Sequence, residues 1–227
     1  MRKSTTRKAP VTAWSYSRYS QYVKCHYMLK LSAIDKAPTE PSYILDRGNR
    51  IHKLGESFVR GNITGMPDEL SKFGHEFRML RKHKAEAELD LSVDKKWGPS
   101  HGQAWDTVWC RSYLDAVVKH KKSITVVDYK TGRIYTDAHM KQGSLYATCA
   151  FSHYPEAESV DVEFWYLDQD ETLTLEFSRD EYAGLKSKWN RRTKEMLLDK
   201  KLLPNPGDSC KFCFHNPKKG GTCKYAE

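Results

Sequence analysis

Residues 111–132 read RSYLDAVVKHKKSITVVDYKTG. Two apolar stretches flank a short basic link, His120-Lys121-Lys122, so the run reads as two strands joined by a hairpin-like connection. Asp115 sits on the first strand and Asp128 ends the second, so pairing brings their carboxylates together. Two carboxylates at one point repel and need a cation between them, and oxygen donors of this type suit Mg²⁺ or Mn²⁺. Lys130 lies two positions beyond Asp128, and residues i and i+2 of a strand share a face. Its ammonium is therefore placed to orient a water molecule and to offset charge on a phosphoryl transition state. Val127 and Tyr129 form the buried side of the same strand. A D-x-K triplet alone is as readily a solvated surface strand. Here it ends an apolar strand, precedes a Thr-Gly turn and has a second aspartate one hairpin upstream.

Outward from this hairpin the pattern alternates between helical and strand periods. The spacing predicts a helix from about Ser17 to Leu31, capped by Ser15 or Ser17, with Tyr19, Tyr22, Val23, His26 and Tyr27 along it. Residues 35–42 form a loop, and a second helix spans about 43–60. Gly48 and Gly55 within that helix either permit close packing or simply cost helicity. A third helix follows Pro67 and Asp68, with Leu70, Phe73, Phe77 and Leu80 as its stripe. Ala87, Leu89, Leu91 and Val93 alternate as a half-buried strand, and a β-region runs from about Trp105 to Lys119. Ser123 to Tyr129 is the next strand, and a helix covers about 137–152. Strands follow around Val160–Tyr166 and Leu173–Phe177. Ser178 with Glu181 forms a capping box for a last helix that Pro204 and Pro206 end. This order predicts an α/β or α+β domain with a mixed central sheet flanked by helices. The expected organisation is a basic disordered arm over residues 1–13, one domain over 14–203 and a Cys-rich tail over 204–227.

The 227 residues carry a formal net charge of +9, which favours a polyanionic partner such as nucleic acid or an anionic membrane. The first eight residues, MRKSTTRK, carry four of the positive charges and lack the apolar stretch of a signal peptide. No apolar run is long enough to span a bilayer. A cytoplasmic protein without a membrane partner is expected, in the host cytoplasm if the chain is phage-encoded.

The hairpin resembles the PD-(D/E)xK nuclease superfamily, and specifically its RecB-like and Cas4-like branch. Those enzymes pair a strand ending in Asp with a D/E-x-K strand that often reads DYKTG, as residues 128–132 do here. Gly48 to His52 resembles the family's helical G-x-x-x-H element. HMKQGSLYA resembles its Q-x-x-x-Y element and supplies Gln142 and Tyr146. WSYSRYSQYVKCHYMLKL resembles its opening helix. The motifs fall in family order across residues 15–223. The run Arg111-Ser112-Tyr113-Leu114-Asp115 departs from the family's usual glycine and proline before the first aspartate.

The resemblance implies a restriction-endonuclease-like core. It implies metal ligation by His52, Asp115, Asp128 and the Tyr129 carbonyl, and catalysis by Asp115, Asp128 and Lys130 with Gln142 and Tyr146 in support. Glu88 is the candidate for an acidic residue that such enzymes carry between the histidine and the first aspartate; a solvent-facing strand residue is the alternative.

Six cysteines remain to be placed. Cys110 and Cys149 lie in apolar runs and read as small buried hydrophobes. Cys210 and Cys213 form a C-x₂-C pair, with Cys223 beyond a Gly-Gly. The resemblance adds Cys25 and implies a [4Fe–4S] cluster on Cys25, Cys210, Cys213 and Cys223, docking the tail on the first helix. Zn²⁺ is the alternative, with His26 or His215 able to replace a thiolate.

The function expected is a Mg²⁺- or Mn²⁺-dependent DNA exonuclease preferring single-stranded ends, in recombination, repair or CRISPR-type processing. A helicase, recombinase or CRISPR protein is its expected partner. Arg50, Arg60, Arg78, Lys82 and Lys84 are candidate phosphate contacts. A DNA endonuclease is one alternative. A non-catalytic nucleic-acid-binding module is another, and intact Asp115, Asp128 and Lys130 argue against it.

Overall fold

The computed structural model describes residues 10–104 and 106–226; residues 1–9 of the expected basic arm lie outside them. The chain forms two compact units. One is Ser42–Ser187, and the other joins the described residues up to Pro41 with those from Lys188 onward.

The Ser42–Ser187 unit is built on one five-stranded sheet in sequence order: β1 (Glu86–Asp90), β2 (Tyr113–Lys119), β3 (Ser123–Lys130), β4 (Ser159–Tyr166) and β5 (Glu171–Ser178). Neighbours are antiparallel except β3 and β4, which run parallel. A parallel pair needs a crossover, and α5 (Thr136–His153) provides it. Alternation along the strands separates two apolar faces. Ala116, Val118, Val127, Tyr129 and Trp165 pack with Ile51 and Phe58 of α3 (Tyr43–Val59) and Phe77 and Leu80 of α4 (Gly74–Lys82). The opposite face receives α5, where Gly143 sits so close to Leu175 and Phe164 that a Cβ would lie 2.6 Å from the Leu175 side chain. The expected mixed α/β core is present.

Gly55 answers the question its sequence left open. A Cβ there would fall 2.6 Å from the Tyr129 ring, so α3 crosses β3 at a separation that only glycine allows. Two strand boundaries differ from expectation. β1 ends at Asp90, with Val93 held only by isolated bridges, and β2 begins at Tyr113. Residues 94–104 and 106–110 instead form turns and bends, with local bonds such as Asp94 N–H to the Gly98 carbonyl, at 2.9 Å; Trp105 lies outside the described residues. Apolar residues in this stretch mimic a strand because Val108, Trp109 and Cys110 are buried without being paired as one.

In the terminal unit the expected opening helix is broken. α1 (Tyr16–Lys24) starts at Ser15, whose side chain caps it, and α2 (His26–Leu29) follows. Cys25 between them is extended; it ends one helix through its N–H to the Gln21 carbonyl and starts the next. The apolar stripe continues through the break, which is why periodicity alone missed it. Trp14 and Trp189, at the edge of α6 (Tyr182–Leu198) that belongs to this unit, stack with centroids 5.7 Å apart. In the C-terminal segment, His215 Nε2 lies 2.9 Å from Ser32 Oγ, and Tyr225 meets Tyr27 edge-on. Among the described residues no helix is long and apolar enough to cross a membrane.

Candidate active site

The site lies where the ends of β2 and β3 meet α3 on one side and α5 on the other. His52, nine positions into α3, places Nδ1 2.9 Å from Asp115 Oδ1. The other Asp115 oxygen accepts the Tyr129 backbone N–H at 2.6 Å, which ties β2 to β3 just beyond the Ala116–Val127 pair. Glu88 completes a group. One ligand atom each from His52, Glu88 and Asp115 lie within 4.8 Å of one another.

Glu88 reaches this position through an irregular backbone. Its φ is +52°, a left-handed conformation unusual for a residue with a side chain. The kink lies between the Ala87–Ala116 and Leu89–Leu114 pairs, opposite Asp115. Strain of this kind costs of order 1–3 kcal/mol and clusters at functional sites. The expected residue set is thus brought together only in part. His52 and Asp115 share the group, Glu88 joins it, and Asp128 stands beside it.

Asp128 is buried and engaged from both sides. Tyr146 OH donates to Oδ1 at 2.7 Å, Gln142 Nε2 donates to the Tyr146 oxygen at 2.6 Å, and Lys130 Nζ lies 2.5 Å from Oδ2. Gln142 and Tyr146 are one turn apart on α5, as their spacing implied. The Lys130 ammonium also stands 5.4 Å from the centroid of Phe164, which faces Asp128 across the parallel pair.

Electrostatics bind these groups together. Burial pushes the Asp115 carboxyl up and the Asp128 charge pushes it further, against the opposing pull of His52 and the Tyr129 N–H. Burial disfavours the charged form of His52, but the Asp115 hydrogen bond and the charges of Asp115 and Asp128 outweigh it and raise its pKa. Glu88 is raised by desolvation and then by Asp115 and Glu56. Two carboxyls whose ionisation is disfavoured, Asp115 and Glu88, beside an imidazole fit a site for a divalent cation: neutral imidazole nitrogen and carboxylate oxygens are the donors such ions take.

Sequence reasoning missed His139. It is buried on α5, with Nδ1 2.8 Å from Tyr166 OH and its ring stacked on Phe164. Burial first, and the Lys130 charge second, hold its pKa down to about 4. Nothing in its sequence setting marked it. Arg50 and Arg60, read as candidate phosphate contacts, form ion pairs with Glu69 and Glu56.

The sequence profile of the PD-(D/E)XK nuclease superfamily matches residues 13–217. The chain belongs to this superfamily. The Gene 69 protein of Mycobacterium phage D29 is 24% identical over 265 aligned residues, covering 88% of this chain and 93% of that protein. A crystal structure from Eubacterium rectale, described provisionally as an exonuclease, shares the fold with a TM-score of 0.52 at 12% identity, over 94% of this chain and 91% of that one. Membership of a PD-(D/E)XK nuclease superfamily, with a candidate divalent-metal group, supports a hydrolytic enzyme directed at nucleic acid.

The PD-(D/E)XK assignment stops at the superfamily, and the expected RecB-like and Cas4-like branch with its iron–sulfur cluster is overturned. Among the described residues, the His, Cys, Asp and Glu side chains close enough to share one ion are His52, Glu88 and Asp115, and no cysteine belongs to that group. Cys25, Cys210, Cys213 and Cys223 form no disulfide and lie outside that group, against the expected cluster and its zinc alternative. Burial pushes the Cys213 thiol up, and charge at Cys223, Cys210 or Cys25 pushes it further. The C-x₂-C spacing is occupied by a short turn over Asp208–Phe212, closed by the Cys213 N–H on the Cys210 carbonyl. Cys110 and Cys149 are fully buried, as expected of small hydrophobes.

Proposed function

We propose that this chain is a Mg²⁺- or Mn²⁺-dependent deoxyribonuclease that hydrolyses phosphodiester bonds from single-stranded DNA ends. The observation that carries this reading is the His52–Glu88–Asp115 group standing beside the Asp128–Lys130 ion pair in a PD-(D/E)XK chain.

His52, Glu88 and Asp115 would hold the cation, with the Asp128 charge beside them, and the Tyr129 carbonyl would be a further oxygen ligand. Bound there, a divalent cation supplies Lewis-acid charge beside the scissile phosphate and makes water a stronger nucleophile at neutral pH. The remaining work falls to the chain. Lys130 orients the attacking water and offsets negative charge on the phosphate oxygens as the new P–O bond forms. The attacking water gives up a proton to solvent, the bond to the leaving sugar oxygen breaks, and that oxygen takes up a proton from solvent. Tyr146 and Gln142 hold Asp128 in one orientation, so that Lys130 has a fixed partner. The Phe164 ring on the sheet limits where the ammonium can go.

The exonuclease reading draws support from the fold shared with the E. rectale protein, which is described provisionally as an exonuclease. Recombination, repair or CRISPR-type processing, with a helicase or recombinase supplying ends, is the setting it fits. The deciding experiment digests end-labelled linear DNA and closed circular DNA with Mg²⁺ or Mn²⁺. An exonuclease degrades the linear strand progressively and spares the circle. Cleavage of the circle favours the endonuclease reading, and no cleavage of either sinks the enzyme reading.

A further inference from the structure

The mouth of the site carries exposed aromatic residues on both flanks. Tyr43 opens α3 at 80% exposure, and Tyr135 precedes α5 at 60%. A single exposed ring is ordinary at a protein surface, but these two stand on the elements that flank the site. Their positions are tied to the site by close contacts. Arg47, one turn beyond Tyr43, bonds to Asp168, which also accepts the Gly132 N–H at 2.8 Å. A Cβ at Gly48 would lie 3.5 Å from the Thr131 hydroxyl. The first turn of α3 and the segment leading from Lys130 to Tyr135 therefore border the same opening.

Charge at this rim is selective. The Arg47 and Arg50 guanidiniums are engaged by Asp168 and Glu69. Arg133 and Lys141, flanking Tyr135 on the α5 side, are exposed and have no ion-pair partner among the described residues. Exposed cations interleaved with exposed aromatic rings suit one polyanion in particular. In a duplex the bases are hidden in the stack and only phosphates are offered. In a single strand both the phosphates and the base faces are available, and aromatic side chains stack on any base.

We propose that Tyr43 and Tyr135 are base-stacking platforms for single-stranded DNA entering the site, with Arg133 and Lys141 taking its phosphates. This deepens the nuclease reading and rests on it for the direction of the strand, but the binding surface is tested separately. The strand crosses from one ring to the other over the His52–Glu88–Asp115 group. Tyr135 supplies a π-face rather than its hydroxyl, so phenylalanine should replace it.

The test measures fluorescence anisotropy of a labelled 20-nucleotide single strand and of the matching duplex, with the full chain in EDTA so that nothing is cut. Tyr135→Ala and Tyr43→Ala should weaken single-strand binding roughly 5- to 50-fold and leave duplex binding within about twofold. Tyr135→Phe should bind like the parent. Equal loss for strand and duplex, no loss for either, or a Tyr135→Phe variant as weak as Tyr135→Ala would overturn the proposal. Unchanged thermal melting of the variants excludes misfolding. Cleavage by the parent chain with Mg²⁺ or Mn²⁺, run in parallel, separates the two ideas. Cutting with no tyrosine effect retains the nuclease and discards the platform; a tyrosine effect without cutting does the reverse.

Discussion

Arg47 grips Asp168 with two hydrogen bonds, Nη1 to Oδ2 at 3.0 Å and Nη2 to Oδ1 at 2.6 Å. Arg47 lies on the helix that carries His52, and Asp168 lies just past β4. The same carboxylate accepts the Gly132 N–H, and Gln169 donates to the Gly132 carbonyl at 2.7 Å. The turn behind Lys130 is thus fixed to the helix that presents the histidine. Asp168→Asn keeps the shape and removes the charge. It should lower stability by about 1–2 kcal/mol and reduce kcat several-fold with little change in KM. Denaturant melts and steady-state kinetics measure the two effects; an unchanged kcat in a folded variant would make the clamp purely structural.

Lys130→Ala should reduce cleavage by at least about 100-fold while DNA affinity changes little. Lysine acts on charge that develops in the transition state, so its loss should appear in the rate rather than in attachment. Single-turnover cleavage beside anisotropy checks this. Near-parental cutting would remove Lys130 from the mechanism.

Glu88→Gly separates strain from function. Glycine adopts the +52° backbone angle freely, so the substitution should leave thermal stability equal or raise it by up to about 1 kcal/mol. Metal binding and cleavage should fall together, because one carboxylate of the group is gone. Calorimetric titration with Mn²⁺ is the readout, and Mn²⁺ affinity equal to the parent would exclude Glu88 as a ligand.

His139 gives the fold an acid limit. Its pKa is held near 4 in the folded chain, mainly by burial, against an ordinary value of 6.5. The unfolded chain therefore takes the proton first. The stabilising contribution is full above about pH 6.5 and is lost as pH falls toward 4, about 3 kcal/mol in all. Unfolding free energies of the parent chain should drop more steeply between these limits than those of His139→Gln. Parallel curves would show that other groups set the acid sensitivity.

Gly55→Ala should lower stability despite alanine's better helix propensity. The added methyl meets the Tyr129 ring at 2.6 Å, and that ring is buried with Phe77 and Trp165 against it. A net loss of about 1–2 kcal/mol is expected, an overpacking cost partly offset by propensity. A variant melting at or above the parent would show that α3 can move away from the sheet.

The sequence by itself determined the order of elements, the hairpin of Asp115 and Asp128, and the placing of Lys130 on the strand that carries Asp128. These depend on periods of two and of 3.6 and on local spacing, which are written in neighbouring residues. It also determined that Gln142 and Tyr146 lie on one helix turn. Tertiary structure decided what no local pattern encodes. Glu88, which the resemblance offered as a candidate acid and alternation along β1 as a solvent-facing residue, joins His52 and Asp115 because a left-handed kink turns it there. His139 meets Tyr166 and Phe164 because α5 crosses the sheet at that point. The four cysteines share the spacing of a metal-binding set, yet spacing restricts only the chain between two residues. Whether distant sulfurs converge depends on how Cys25 and the C-terminal segment pack, and here the ion-sized group formed at the sheet, from a helix and two strands brought together by the core.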